Sequence, residues 1–110
     1  HQTTLAEGGK TIAVLGCGVD IVYPPENRSL YQQMINGGGL VISEFPPGQK
    51  TTKKLFVLRN RLISGIANGV LIIEGTNHSG TLITAKFAAA QGRDVFVPQY
   101  EEKSSLSFAP

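Results

Sequence analysis

Apolar residues gather into four short runs along the chain, and the segments between them carry apolar positions at helical spacing. The runs are residues 11–15 (TIAVL), 40–43 (LVIS), 70–73 (VLII) and 94–97 (DVFV). Their branched side chains and flanking glycines or prolines mark them as strands. The third is continuous enough to predict a strand covered on both faces. Leu30, Met34 and Ile35 form the inward stripe of a helix over 28–36, capped at Glu26 or Asn27 and closed by the glycines at 37–39. Leu58, Leu62 and Ile66, at i, i+4 and i+8, predict a second helix that stops near Asn68-Gly69. Ser79 caps a third over 80–91, with Gly92 in its C′ position. The order strand, helix, strand, helix, strand, helix, strand predicts an α/β fold. Such a fold is a parallel sheet, here of about four strands, with right-handed crossovers and helices on both faces.

The remaining stretches fit around these elements. Residues 1–10 read as a helix tail stopped by Gly8 and Gly9, and 44–52 (EFPPGQKTT) as a loop that its prolines and glycine keep out of either element. Residues 99–110 form a polar, unpatterned tail, so the domain is expected to run from 1 to 98. With 110 residues, 41% apolar and 13 glycines, the chain makes one globular domain and contains no run as long as a membrane span. It is small for a complete doubly wound sheet and opens on His1, which predicts a fragment of a longer protein. Cys17 is the sole cysteine and therefore forms no internal disulfide. With only His1 and His78 beside it no metal cluster is expected, and a cytoplasmic setting is. The net charge of +2 is too small to imply a polyanion partner, but its distribution is uneven. Lys50, Lys53, Lys54, Arg59 and Arg61 place half of the ten basic residues in twelve positions that hold no acid.

Three stretches carry candidate chemistry. Residues 70–92 read as strand, polar loop and helix, with Glu74 at the carboxyl edge of the strand and Thr76, Asn77, His78, Ser79, Thr81 and Thr84 as small donors. The free amides of the helix start make an anion site there. Gly16-Cys17-Gly18 after the first strand begins a dinucleotide fingerprint that breaks at Ile21, and no phosphate-binding glycine-lysine-serine pattern occurs, so no nucleotide cofactor is expected. The basic segment has two readings. If its helix begins near Arg59, then Arg59, Asn60 and Arg61 crowd the first turn, where cations oppose the helix dipole. If Thr52 is the cap, the helix begins earlier and Arg59 and Arg61 point to nearly opposite sides. Phe56, among lysines and arginines, is either a core anchor or a stacking face for single-stranded nucleic acid.

Six stretches in colinear order, between Gly9 and about Pro98, resemble the DNA processing protein A family (DprA, also called Smf). They are 9–20 (GKTIAVLGCGVD), 23–27 (YPPEN), 43–48 (SEFPPG), 56–65 (FVLRNRLISG), 79–85 (SGTLITA) and 92–96 (GRDVF). The resemblance implies a Rossmann-like core and a non-enzymatic protein of natural transformation. Such a protein binds and protects incoming single-stranded DNA and helps load a RecA-type recombinase, as a homodimer or higher oligomer. By the same resemblance Lys53 falls on a phosphate-contacting position and Phe56 on a base-stacking one. Arg59, Asn60 and Arg61 form the family's RNR-type motif, and Ser79, Gly80 and Thr81 its SG[ST] loop. Leu55 and Val57 depart from the histidine and proline usual in the family, and 99–102 (QYEE) from its glycine-led continuation. The family's earlier half, with its glycine-serine-arginine segment, is absent. The competing class is a nucleotide-binding enzyme of the related phosphoribohydrolase type with Glu74 as catalytic carboxylate, although the PGGxGTxxE motif of those enzymes is not present. A ligand-free interaction module is a third.

Overall fold

The computed structural model describes residues 1–75 and 79–99. In chain order they form α1 (Gln2–Ala6), β1 (Thr11–Val14), a 3-10 turn (Pro25–Asn27), α2 (Arg28–Gly37), β2 (Gly39–Ile42), α3 (Lys53–Gly65), β3 (Gly69–Leu71), α4 (Gly80–Ala90) and β4 (Asp94–Phe96). The predicted alternation is therefore present. The ladders are two parallel pairs, β1 with β2 and β3 with β4, in place of the one four-stranded sheet expected. Each pair is joined by a helix, α2 or α4, because parallel strands need a long crossover. The described residues divide into two compact units, the first ending at Arg59 and the second beginning at Asn60, with one such βαβ in each.

In the first unit β1 and β2 pair from Thr11 with Gly39 to Val14 with Ile42. Its core is Val14, Cys17 and Met34, each 6% exposed or less. Gly39 opens β2 and does more than close the preceding helix. A Cβ there would lie 3.0 Å from Met34 Cβ, so the bare backbone is what lets α2 lie close on the strand. The inward residues of α2 are Leu30, Tyr31 and Met34, whereas Ile35 is 53% exposed, against the expectation. The phenol of Tyr31, one turn before Ile35, takes the inward place because its hydroxyl can donate to the Val19 carbonyl. As predicted, Gly8 ends α1. Its φ of 78° lets Gly9 N–H reach Thr4 O at 2.8 Å and Gly8 N–H reach Leu5 O at 3.1 Å.

In the second unit β3 and β4 pair from Gly69 with Asp94 to Leu71 with Phe96, and Ile72 N–H extends the ladder to Phe96 O. Ile72 is buried while Leu71 and Ile73 are 58% and 57% exposed. The strand is thus covered on one face and alternates, which corrects the two-face expectation. Gly92, at φ 75°, closes α4 with Arg93 N–H on Ala88 O at 2.8 Å, as the sequence predicts. Ser79 caps the other end, its Oγ accepting from Leu82 N–H at 3.3 Å. Ser79→Ala should cost about 1 kcal/mol. In a thermal melt that is a fall in Tm of about 4 °C, and an unchanged Tm would show that the cap carries no weight.

The line of α3 that turns inward is not the one its apolar spacing indicates. Leu58 and Ile66 are exposed, at 36% and 54%, whereas Asn60 and Ser64, at 9% and 0%, are buried. Close approach explains the inversion. Ser64 Oγ donates to Gln91 Oε1 at 2.7 Å, and Gln91 Nε2 donates to Arg61 O at 2.9 Å. A leucine at 64 would have no room there, so a small polar residue with a partner takes the inner position.

Candidate nucleic-acid interface

The first unit places a glycine turn, an aromatic ring and a guanidinium together at the carboxyl end of β1. Gly16, Cys17 and Gly18 are all buried. A Cβ on Gly16 would come 2.9 Å from Phe56 Cδ1, and one on Gly18 would come 2.6 Å from Pro46 O and 2.7 Å from Asp20 Oδ1. Both glycines therefore serve packing within the chain. The turn is tied to the loop after β2 by Gly18 N–H on Gln49 O (2.9 Å), Gly48 N–H on Asp20 Oδ1 (2.8 Å) and Ser43 Oγ on Cys17 O (2.6 Å). Burial pushes the Cys17 thiol above its ordinary pKa, and Asp20 adds to this while Arg59 opposes it.

Phe56 is half-buried, with its ring over Gly16 and its centroid 5.9 Å from that of Tyr23 at a tilt of 48°. The Arg59 guanidinium sits 5.3 Å from the same centroid, within reach of a cation–π attraction. Its Nη1 donates to Val14 O at 2.7 Å. Burial pulls the Arg59 pKa below its ordinary value, with Cys17 acting the other way, and a guanidinium so high in pKa stays charged. Arg59 thus holds the ring and the end of β1. Phe56 is thus a packing element with an accessible portion.

The start of α3 resolves the two readings of the basic segment. Thr52 Oγ1 accepts from Leu55 N–H at 3.2 Å and Thr52 O from Phe56 N–H at 3.1 Å, so the helix begins early and Arg59 and Arg61 are mid-helix. The cations that oppose the dipole are then Lys53 and Lys54, both exposed, in a first turn with no acid. Each is disfavoured by about 0.3–1 kcal/mol, a conflict that a bound phosphate removes. Lys53 and Phe56 stand one turn apart, and Phe56 and Arg59 one turn further along, so the three follow each other on adjoining turns.

In the second unit Asn60 is buried and its Nδ2 donates to Gly80 O at 3.3 Å, which joins α3 to the start of α4. Arg61 is half-buried and its carbonyl receives Gln91 Nε2. Ser79 is engaged as the cap, Gly80 is exposed and Thr81 half-buried. Glu74 is exposed in the bend after β3. Thr76, Asn77 and His78 lie outside the described residues, as does the tail from 100 to 110. Among the described residues no group of three His, Cys, Asp or Glu could hold a metal ion, and no helix is long and apolar enough to cross a membrane. The residue that sequence reasoning missed is Tyr23, 57% exposed beside Phe56. In the sequence it figured only as the first residue of the stretch 23–27 (YPPEN), with no role of its own.

A parallel α/β chain with its small-residue turns at the carboxyl ends of the strands has the architecture of the Rossmann-like domains. Within that class the chain belongs to the DNA recombination-mediator protein A family, whose model matches residues 1–109. Over 96 residues it is 49% identical to Protein Smf of Synechocystis sp., covering 87% of this chain and 24% of that protein. The X-ray structure of DNA processing protein A from Streptococcus pneumoniae is similar, with a TM-score of 0.84 and 41% identity, over 98% of this chain and 38% of that one. A structure of DNA processing protein A from Helicobacter pylori, which addresses its single-stranded DNA binding mode, has a TM-score of 0.73 and 31% identity. That likeness covers 84% of this chain and 43% of the other. The chain spans about a quarter to a third of the length of the curated relatives it matches.

Proposed function

We propose that this chain is part of a single-stranded DNA-binding protein of natural transformation. In this reading the protein protects incoming DNA and helps load a RecA-type recombinase, and it works as a homodimer or higher oligomer in the cytoplasm. It binds DNA and is not an enzyme, and its domain extends to about Pro98. The observation that carries the reading is Lys53 and Lys54 at an acid-free helix start, one turn before an aromatic ring held by Arg59. Cations beside an accessible ring are how single strands are gripped, since a ring can stack on an unpaired base but not on one inside a duplex. That a relative from Helicobacter pylori binds single-stranded DNA supports it. Lys53 takes a phosphate and Phe56 a base, with Arg59 setting the ring. In the second unit Arg61, Asn60, Ser79, Gly80 and Thr81 supply further contacts, through the amides that open α4 and the polar groups around them.

The test is fluorescence anisotropy of labelled oligo(dT) with the full-length protein at several salt concentrations. Three to five phosphate contacts predict a slope of log affinity against log salt of about −2 to −3.5, at about −0.7 per contact on single strands. Lys53→Ala should flatten that slope by about 0.7 and weaken all sequences alike. Equal affinity for duplex, or no binding, would overturn the reading. Release of free base from AMP, abolished by Glu74→Gln, would favour the phosphoribohydrolase class instead.

A further inference from the structure

We propose that Asn68 is a site of spontaneous covalent modification, converting to aspartate and isoaspartate through a succinimide ring closed on the Gly69 amide. The sequence holds two Asn-Gly pairs, Asn36-Gly37 and Asn68-Gly69, and both asparagines are exposed. Glycine after asparagine leaves the ring closure least hindered, because no Cβ crowds the attacking nitrogen. In the first step the Gly69 backbone nitrogen bonds to Asn68 Cγ and the bond from Cγ to the side-chain nitrogen breaks. The amide proton leaves with that nitrogen as ammonia. Water then opens the ring at either carbonyl. One opening yields aspartate, and the other yields isoaspartate, with the main chain routed through the former side chain.

Exposure is the same for the two pairs, and the backbone separates them. Asn36 and Gly37 both lie in α2, where the Gly37 N–H is directed back along the helix and Asn36 Cγ cannot reach that nitrogen until the last turn opens. Asn68 stands instead in the bend between α3 and β3, and no hydrogen bond holds its side chain among the described residues. Gly69 opens β3, with its N–H on the edge away from the partner strand. Ile72 N–H donates to Phe96 O of β4, and successive N–H groups alternate between the two edges of a strand, so 70 and 72 face β4 and Gly69 does not. The reacting nitrogen is therefore outside the β3–β4 ladder. Packing fixes the glycine, since a Cβ at 69 would come 3.0 Å from Phe96 Cε2 and 3.3 Å from Asp94 O. The seat of the Phe96 ring thus keeps a reactive pair at the entry to β3. Conversion sets a carboxylate beside the residue that pairs with Asp94, and like charges so placed repel. The isoaspartyl form also lengthens the main chain just ahead of the strand.

The experiment holds the full-length protein in mildly alkaline buffer, where the attacking nitrogen loses its proton more readily. Samples taken at intervals are digested and mapped by mass spectrometry, with isoaspartate scored by labelling with an isoaspartyl methyltransferase. In the folded protein the Asn68 peptide should convert about 10-fold faster than the Asn36 peptide, the factor that one or two helical hydrogen bonds impose. In denaturant the two should convert at similar rates. Asn68→Gln, whose longer side chain closes its ring far more slowly, should abolish labelling of that peptide and leave the Asn36 peptide as before. Conversion of both peptides at one rate in the folded protein would overturn the proposal. So would an Asn68 peptide that stays an amide in the folded protein while it converts in denaturant.

Discussion

Gly18→Ala should destabilise the fold by about 3 kcal/mol, at the upper end of what an added buried methyl costs. The corresponding fall in Tm is about 10 °C or more, at roughly 4 °C for each kcal/mol. The added Cβ would lie 2.6 Å from Pro46 O and 3.0 Å from Gly48 N, which are backbone atoms, as well as 2.7 Å from Asp20 Oδ1. Backbone cannot swing aside as a long side chain can. The two loops that meet here are also held by Gly18 N–H on Gln49 O and Gly48 N–H on Asp20 Oδ1, so moving one breaks bonds to the other. A circular dichroism melt of the full-length protein reads the effect. A Tm within about 2 °C of the unaltered protein would mean that the loops relax freely, against the usual response of a close-packed interior.

Phe56→Ala should have the second large effect, and it acts on two quantities. Complete burial of a phenylalanine makes truncation cost about 3–5 kcal/mol, so a half-buried ring should cost about 2 kcal/mol, partly through the lost attraction to Arg59. Affinity for oligo(dT) should fall by about 1–3 kcal/mol while the salt slope stays put, since no charge is removed. Phe56→Leu separates the two roles. It keeps most of the apolar volume over Gly16 and should cost less than about 1.5 kcal/mol of stability, but it has no face to stack, so affinity should fall nearly as far as in the alanine variant. Full affinity in Phe56→Leu would make Phe56 a core anchor alone.

The parts of this molecule that were legible in the sequence are those fixed by local chemistry. Ser79 caps α4, and Gly8 and Gly92 end α1 and α4 at positive φ, as their residue types indicate. The four strands lie where branched runs placed them, because β-branched and aromatic side chains favour the extended backbone. What could not be read was set by approach between distant segments. Nothing in Leu58, Leu62 and Ile66 says that α3 turns Asn60 and Ser64 inward, since that depends on Gln91 coming within 2.7 Å of Ser64. Tyr23 and Phe56 stand 33 positions apart in sequence, and only the folded turn sets their rings 5.9 Å apart. Likewise Arg59, grouped by spacing with Lys50, Lys53, Lys54 and Arg61, is engaged with Val14 O once the helix start at Thr52 fixes its direction. The neighbouring Lys53 and Lys54 then become the exposed cations of that turn.

Photocrosslinking reads most directly whether DNA crosses the turn of α3 that carries Lys53 and Phe56. Oligo(dT) with a single 5-iododeoxyuridine would be bound to the full-length protein and irradiated, and the crosslinked peptides mapped by mass spectrometry. Because the iodouracil reacts with aromatic side chains stacked on it, the modified peptides should contain Phe56, within residues 55–59 (LFVLR). Crosslinks confined to other segments, with this peptide unmodified, would contradict the assignment of single-stranded DNA binding to this face.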